Sequence, residues 1–295
     1  MKERKQLYCA EISVPGRNFI LTLEQEEYPA VYPGMVRYLL SVREGETLLS
    51  LFRTNTYEYA PQSTLDAQKV AWERARQWEE NLRSDPLGFL ASNPLPPPRI
   101  SSYTPAEVVV IQGSPRGEGN CSILAGWSVE AAEEKRKTVQ VLYPHDLDIH
   151  PCIGCYQCYN TGYCIYDDDM GRIIGSLNEA TLVVICSPVY TMTVPAGMKA
   201  LMDRCQAYHA QRLIARDTST RQGLLMSVAG RKGTSNFTCL QTTVHTFFSN
   251  LGIVPAGDIL VDNMDRIQDI RKVPRIRERV MTGVYAGIAR DDSRR

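Results

Sequence analysis

The chain has 295 residues, 33 lysines and arginines against 33 aspartates and glutamates, and 43% apolar content. This is a globular composition, with length for one large or two smaller domains and a well-buried core. The balanced charge gives no electrostatic case for nucleic acid as a partner, and no stretch approaches the roughly 20 apolar residues of a membrane helix.

The N-terminus, Met1-Lys-Glu-Arg-Lys5, is charged but has no apolar signal core behind it, so a cytoplasmic location is expected. The nine cysteines are an odd number, which in a reducing compartment argues against a disulfide framework. Short strands are expected over 8–14, 19–23, 35–41 and 47–53, with Glu44-Gly45 at the last hairpin turn. A helix is expected over 63–82, with Ser63 as its cap and Leu65, Val70, Trp72, Trp78 and Leu82 as its apolar residues. Residues 1–92 therefore read as a small α+β domain without a catalytic motif. Asn93-Pro-Leu-Pro-Pro-Pro98 excludes regular helix or sheet and makes 93–105 an extended linker.

After the linker, strands and helices alternate strictly. Strands are expected over 108–112, 138–142, 182–186, 224–227 and within 253–261. Helices are expected over 120–135, 170–178, 195–208, 236–251 and 274–288. Apolar strands without a polar face need helices on both sides. Residues 106–290 are thus expected to form an α/β domain with an open, doubly wound, five-stranded parallel sheet.

The first strand leads into Gly113-Ser-Pro-Arg-Gly-Glu-Gly-Asn-Cys-Ser122 and then a helix. A helix N-terminus offers unpaired N–H groups and the positive end of a dipole, and glycines let the backbone close on a phosphate. Ser114, Asn120 and Ser122 add side-chain donors, and Arg116 adds a cation. No Gly-Lys-Ser/Thr follows, and the spacing is not Gly-x-Gly-x-x-Gly, so a triphosphate or dinucleotide loop is not indicated. A polar loop that merely caps its helix is the alternative.

Gly-Ser-Pro-Arg followed by Gly-Asn-x-Ser resembles the phosphate loop of the NADPH-dependent FMN reductase-like flavoproteins. The resemblance continues in Cys186-Ser-Pro-Val-Tyr190 and in Lys199 and Asp203-Arg204, and it spans about residues 107–261. It implies a flavodoxin-like fold with FMN phosphate on Ser114, Arg116, Asn120, Cys121 and Ser122. It also implies an isoalloxazine ring along Pro188, Val189, Tyr190 and Thr191, with Gly230 and Arg231 reaching it from the next loop. Cys121 stands where the family usually has Thr or Ser, and a thiol is a weaker donor. Lys199 and Asp203 are spaced for a helix-face ion pair and are given no chemistry. No catalytic acid or base stands out.

Cys152, Cys155, Cys158 and Cys164 are separated by two, two and five residues. Such compact spacing lets one loop wrap a [4Fe–4S] cluster, whereas structural zinc usually takes two separated cysteine pairs. The pattern resembles the iron–sulfur flavoproteins, a branch of the same family, which implies these four as cluster ligands. Zinc and free, redox-active thiols remain the alternatives. Asp167–Asp169 read as helix-capping carboxylates, and Cys186 and Cys205 as buried hydrophobes. The resemblance implies an FMN-dependent oxidoreductase passing electrons from NAD(P)H or ferredoxin to a small-molecule acceptor, as a homo-oligomer. The alternative is a non-enzymatic electron-transfer or redox-sensing module whose N-terminal domain, through the Trp72/Trp78 helix, docks a partner.

Overall fold

The structure, a computed structural model, describes residues 4–27, 33–95 and 103–292. The middle of the expected linker, residues 96–102, lies outside the described residues. The chain separates into two compact units, Met1–Arg99 with Ile153–Ile165, and Ile100–Cys152 with Tyr166–Arg295. Residues 153–165, which carry Cys155, Cys158 and Cys164, thus group with the N-terminal sheet rather than with their neighbours in sequence.

In the first unit, β1 (Arg4–Val14), β2 (Arg17–Glu27), β3 (Val36–Glu44) and β4 (Thr47–Asn55) form an antiparallel meander in sequence order. Gly16 and Gly45, at φ 78° and 55°, supply the positive φ that tight hairpins need. Helix α1 (Ala67–Ser84) begins four residues later than expected. Its cap is Asp66, whose carboxylate accepts from Lys69 N–H, while Ser63 Oγ accepts from Leu65 N–H in the preceding turn. The buried stripe is Ala67, Ala71, Ala75, Trp78 and Leu82, at helical spacing. It packs on Ile12, Phe19, Leu21, Leu23, Leu40 and Val42. A short helix α2 (Pro86–Ser92), with Pro86 at its first turn and Asp85 as cap, adds Phe89 edge-on to Trp78 at 5.2 Å. Trp78 is buried in this core, and Trp72 is partly buried and packs beside Tyr8. The unit also contains α3 (Cys158–Thr161), a single turn within the cysteine segment that the sequence does not suggest.

In the second unit, β5 (Val108–Gln112), β6 (Val139–Leu142), β7 (Leu182–Pro188), β8 (Arg221–Val228) and β9 (Ile253–Val261) form a parallel sheet in the order β6-β5-β7-β8-β9. This is the flavodoxin-like order, with the topological switch between β5 and β7. Val108 and Val110 enter one core with α4 (Asn120–Glu134) and α10 (Ile276–Asp292). Val109 and Ile111 enter the other, with α5 (Met170–Glu179), α6 (Ala196–Arg204), α7 (Gln206–Ala215) and α8 (Thr238–Asn250). The expected helix over 195–208 is thus two helices, separated by a turn at Cys205 with ψ −3°. Pro255 sits in β9, an edge strand, where a missing N–H is tolerated. After β9 come α9 (Met264–Ile267) and a 3-10 turn at Ile270–Lys272. No described helix is long and apolar enough to cross a membrane.

Candidate functional site

The loop after β5 is anchored from below. Gly113 N–H donates to Cys186 O at 2.8 Å, tying it to β7 across the switch point. Gln112 Nε2 donates to Ser122 Oγ at 2.7 Å, and Ser122 Oγ in turn donates to Arg116 O at 2.9 Å. Ser122 is therefore occupied in shaping the loop. Ser114 Oγ accepts from Arg116 N–H at 3.2 Å, which curls the chain over the strand end. Helix α4 starts at Gly119 without a side-chain cap. Its first N–H groups, on Asn120 and Cys121, belong to residues that line a cleft, as an anion site at a helix N-terminus requires.

That cleft has a volume of about 1300 Å³. Of the residues expected from the sequence, Ser114, Arg116, Asn120, Cys121, Pro188, Val189, Tyr190, Thr191, Gly230 and Arg231 all line it, and Ser122 does not. The loop after β7 supplies an exposed wall, with Tyr190 42% and Met192 43% accessible. Thr191 and Met192 both have positive φ, 47° and 67°, and the turn is closed by paired bonds between Tyr190 and Thr193. Non-glycine residues in this region are strained and concentrate at ligand sites. A Cβ at Gly230 would lie 2.4 Å from the exposed Asp265 carboxylate, so a larger residue there would push that side chain aside.

Two expected contacts take different roles. The Asn120 side chain faces the turn after β9, with Nδ2 donating to Gln268 O at 3.0 Å and Oδ1 accepting from Ile270 N–H at 2.9 Å. Gln268 has φ 66° and ψ −47°, and Asp269 N–H donates across it to Ile267 O at 2.8 Å. That is a γ-turn of the strained hand. Asn120 thus clamps a strained turn to the loop after β5. Cys121 is 2% exposed and packs into the core beside Val110 and Leu124, where burial pushes its thiol up to about 12. The thiol stays protonated and faces away from an ionic role.

The segment after β9 brings Met264, Asp265, Gln268, Asp269, Arg271 and Lys272 to the cleft. The sequence reading missed them, although they follow the carboxyl end of a parallel strand, where ligand loops lie. Arg271 Nε donates to Asp269 at 2.9 Å and holds that carboxyl below its usual range. The lining carries the cations Arg116, Arg231, Arg271 and Lys272 against Glu118, Asp265 and Asp269.

The cysteine segment leaves and rejoins the second unit at a buried ion pair. Arg204, 1% exposed, donates to both oxygens of Asp168 at 2.7 and 2.9 Å and to His150 O at 2.6 Å. Its guanidinium lies 5.1 Å over the Tyr166 ring, on which His150 stacks at 4.8 Å. Burial alone would raise the Asp168 carboxyl, but Arg204 and the N–H groups of His150 and Met170 hold it below its usual value. Of the aspartate run, Asp168 accepts from Met170 N–H, the first of α5, whereas the N-cap Asp169 makes no side-chain capping bond; Lys199 and Asp203 pair at 2.6 Å as their spacing implies.

Within the segment, Cys152 is exposed and Cys155, Cys158 and Cys164 are partly exposed. Gly154, Tyr156 and Gly162 have φ of 65°, 57° and 83°, so the chain coils tightly. Tyr156 with left-handed φ precedes Gln157 in the right-handed helical region, an alternation that turns successive N–H groups toward an anion. The donors are thiols throughout, the set an iron–sulfur cluster takes. Among the described residues, no three His, Cys, Asp or Glu side chains are gathered closely enough to hold a metal ion.

Residues 106–265 match the family described as NADPH-dependent FMN reductase. An iron–sulfur flavoprotein of Methanocaldococcus jannaschii is 31% identical over 152 residues, covering 52% of this chain and 76% of its own. An iron–sulfur flavoprotein of Methanosarcina thermophila is 27% identical over 152 residues, covering 52% of this chain and 78% of its own. Among solved structures, the NAD(P)H:quinone oxidoreductase from Methanothermobacter marburgensis aligns with a TM-score of 0.49 and 14% identity, over 62% of this chain and 95% of its own. The chain therefore belongs to the NADPH-dependent FMN reductase family, in its iron–sulfur flavoprotein branch, and is a flavin-dependent oxidoreductase.

Proposed function

We propose that the cleft binds FMN, with the phosphate on the loop of Ser114, Arg116 and the N-terminus of α4 and the ring along Pro188–Thr191. In this reading NAD(P)H or reduced ferredoxin donates electrons, the four clustered thiols carry a [4Fe–4S] cluster, and a small molecule accepts. The protein acts in the cytoplasm as a homo-oligomer. The observation that carries the flavin site is that ten of the eleven expected contacts line a single cleft at the switch point. Its volume of about 1300 Å³ exceeds the ~300–1,000 Å³ usual for one small ligand, which supports a second reactant beside the flavin.

FMN, when bound, supplies the redox chemistry. The chain's own residues bind and orient. Arg116 and the uncapped N–H groups of α4 neutralise the phosphate, Val189 and Tyr190 cover the ring, and Arg231 favours negative charge on it. The relatives' names and the all-thiol donor set support the cluster.

Anaerobic purification followed by absorbance, iron and sulfide analysis tests both cofactors. Flavin bands near one equivalent per chain are expected, and a colourless protein that takes up no added FMN overturns the reading. Iron well below cluster stoichiometry after reconstitution removes the cluster alone. Rapid mixing with NADH, NADPH and reduced ferredoxin identifies the donor, and multiple turnover with a quinone or oxygen separates an enzyme from a one-partner carrier.

A further inference from the structure

Three of the side chains expected at the phosphate have other tasks. Asn120 holds the turn after β9, Ser122 shapes its own loop, and the Cys121 thiol is buried in the core. In the loop after β5, Arg116 is the only cation that lines the cleft, and the Glu118 carboxylate of the same loop lines it too. A phosphate monoester carries about −1.5 to −2 charges at pH 7. The side chains of this loop, +1 and −1, leave that charge to the N–H groups of α4.

The turn that Asn120 holds carries the missing cations. Asn120 is the first residue of α4, so its bonds to Gln268 O and Ile270 N–H set the turn against the N-terminus of that helix. Ile270 is fully buried, in the core that also holds Cys121 and Leu124 of α4. The next two residues, Arg271 and Lys272, are exposed and line the cleft. Asp269 shapes the turn around them: its carboxylate accepts from Arg271 N–H and from Arg271 Nε, each at 2.9 Å, and Lys272 N–H donates to Asp269 O at 3.0 Å. Bonding through Nε leaves the two terminal nitrogens of the guanidinium without a partner among the described residues, and the Lys272 ammonium has none either. The pairing also neutralises Asp269, so the turn from Gln268 to Lys272 keeps a net positive charge. Asp265, the other carboxylate of this segment, stands at Gly230, next in sequence to Arg231.

We propose that Arg271 and Lys272 are phosphate-binding residues, so that the turn after β9 forms a second wall of the anion site and supplies the positive charge that the loop after β5 lacks. The identity of the ligand rests on the FMN reading above. Asn120 then serves the phosphate indirectly, by bringing two cations to it in place of its own amide. Arg271 offers the fork of donors that suits phosphate oxygens, and Lys272 a mobile point charge.

The test uses full-length, flavin-free protein and the variants Arg271→Gln, Lys272→Gln and the double variant. Arg279→Gln, on α10 and outside the cleft lining, is the control. The substitutions keep both bonds of Asn120, so the turn stays in place. FMN and riboflavin, the same ring without the phosphate, are titrated by flavin fluorescence at low and high salt, and protection from heat by inorganic phosphate is measured alongside. The Kd for FMN is expected to rise roughly fivefold for each lost charge at low salt and less at high salt, with the Kd for riboflavin unchanged. Inorganic phosphate should raise the unfolding temperature of the wild type more than that of the double variant. FMN affinities equal to the control's overturn the proposal. So does an equal loss for riboflavin, which makes the turn a support for the ring or the fold, and so does a raised KM for NADPH with FMN affinity kept, which gives the cations to the second reactant. A wild-type protein that binds neither flavin removes the FMN reading, and equal phosphate protection of wild type and double variant then overturns the anion site as well.

Discussion

Asp168 and Arg204 form the most consequential single pair in the second unit, because both side chains are buried and Arg204 also closes on His150 and Tyr166. Asp168→Ala leaves a guanidinium buried without its anion, and a loss of about 3–5 kcal/mol in urea unfolding at pH 7 is expected. The Asp168 carboxyl lies below its ordinary value in the folded protein. Its stabilisation is therefore present above the unfolded carboxyl value of about 3.9 and fades as pH falls through the lower, folded one. The gap between wild type and Asp168→Ala should narrow as pH is lowered from 7 to below that range, and a constant gap would count against the ion pair. The cysteines divide by the same physics. Burial pushes Cys121 and Cys205 to about 12 and Cys186 well above its ordinary value. Brief native alkylation of the iron-free protein at pH 8.5 should label the exposed Cys152 and spare those three, read by peptide mass spectrometry.

At the scale of elements, the cleft is made by loops at the carboxyl ends of β5, β7, β8 and β9. The turn after β9 is the least self-sufficient of them. Its γ-turn at Gln268 is held by both ends of the Asn120 amide. Asn120→Ala removes two bonds of about 0.5–1.5 kcal/mol each and should let the Gln268–Lys272 turn relax. FMN affinity is expected to fall roughly tenfold in fluorescence titration, alongside a drop of several degrees in the unfolding temperature. If Asn120 instead only contacted phosphate, riboflavin, which lacks it, would bind the variant as well as wild type. Under the clamp reading riboflavin affinity falls too.

At the scale of the molecule, the chain joins a flavodoxin-like unit to a sheet unit that captures a segment from the middle of the other's sequence. The segment's two cut ends lie at His150–Cys152 and Tyr166, where Arg204 holds the second unit together. Homo-oligomerisation, proposed from the family, predicts a sedimentation mass of at least two chains at micromolar concentration; a single-chain mass with FMN bound removes it. Added FMN should also raise the unfolding temperature in proportion to the logarithm of its concentration above Kd, as binding to the folded state alone requires.

The parallel sheet was legible because its signal is local. Val108–Gln112 and Leu182–Cys186 are continuous apolar runs, and Gly113–Ser122 stands at a strand-to-helix junction whose physics favours an anion. The sequence by itself therefore determined the fold class, the family and most of the cleft. It placed the start of α1 at Ser63 rather than Asp66 and read one helix where Cys205 divides two, since caps and breaks are decided by a few competing hydrogen bonds. Only the tertiary structure decided that Ser122 spends its side chain inside the loop, that Asn120 spends its own on the turn after β9, and that Gln268, Asp269, Arg271 and Lys272 join the cleft. It alone decided that residues 153–165 belong to the N-terminal sheet. Those outcomes depend on pairings such as Asn55 with Asn160, 105 residues apart, and no local pattern encodes a contact at that separation.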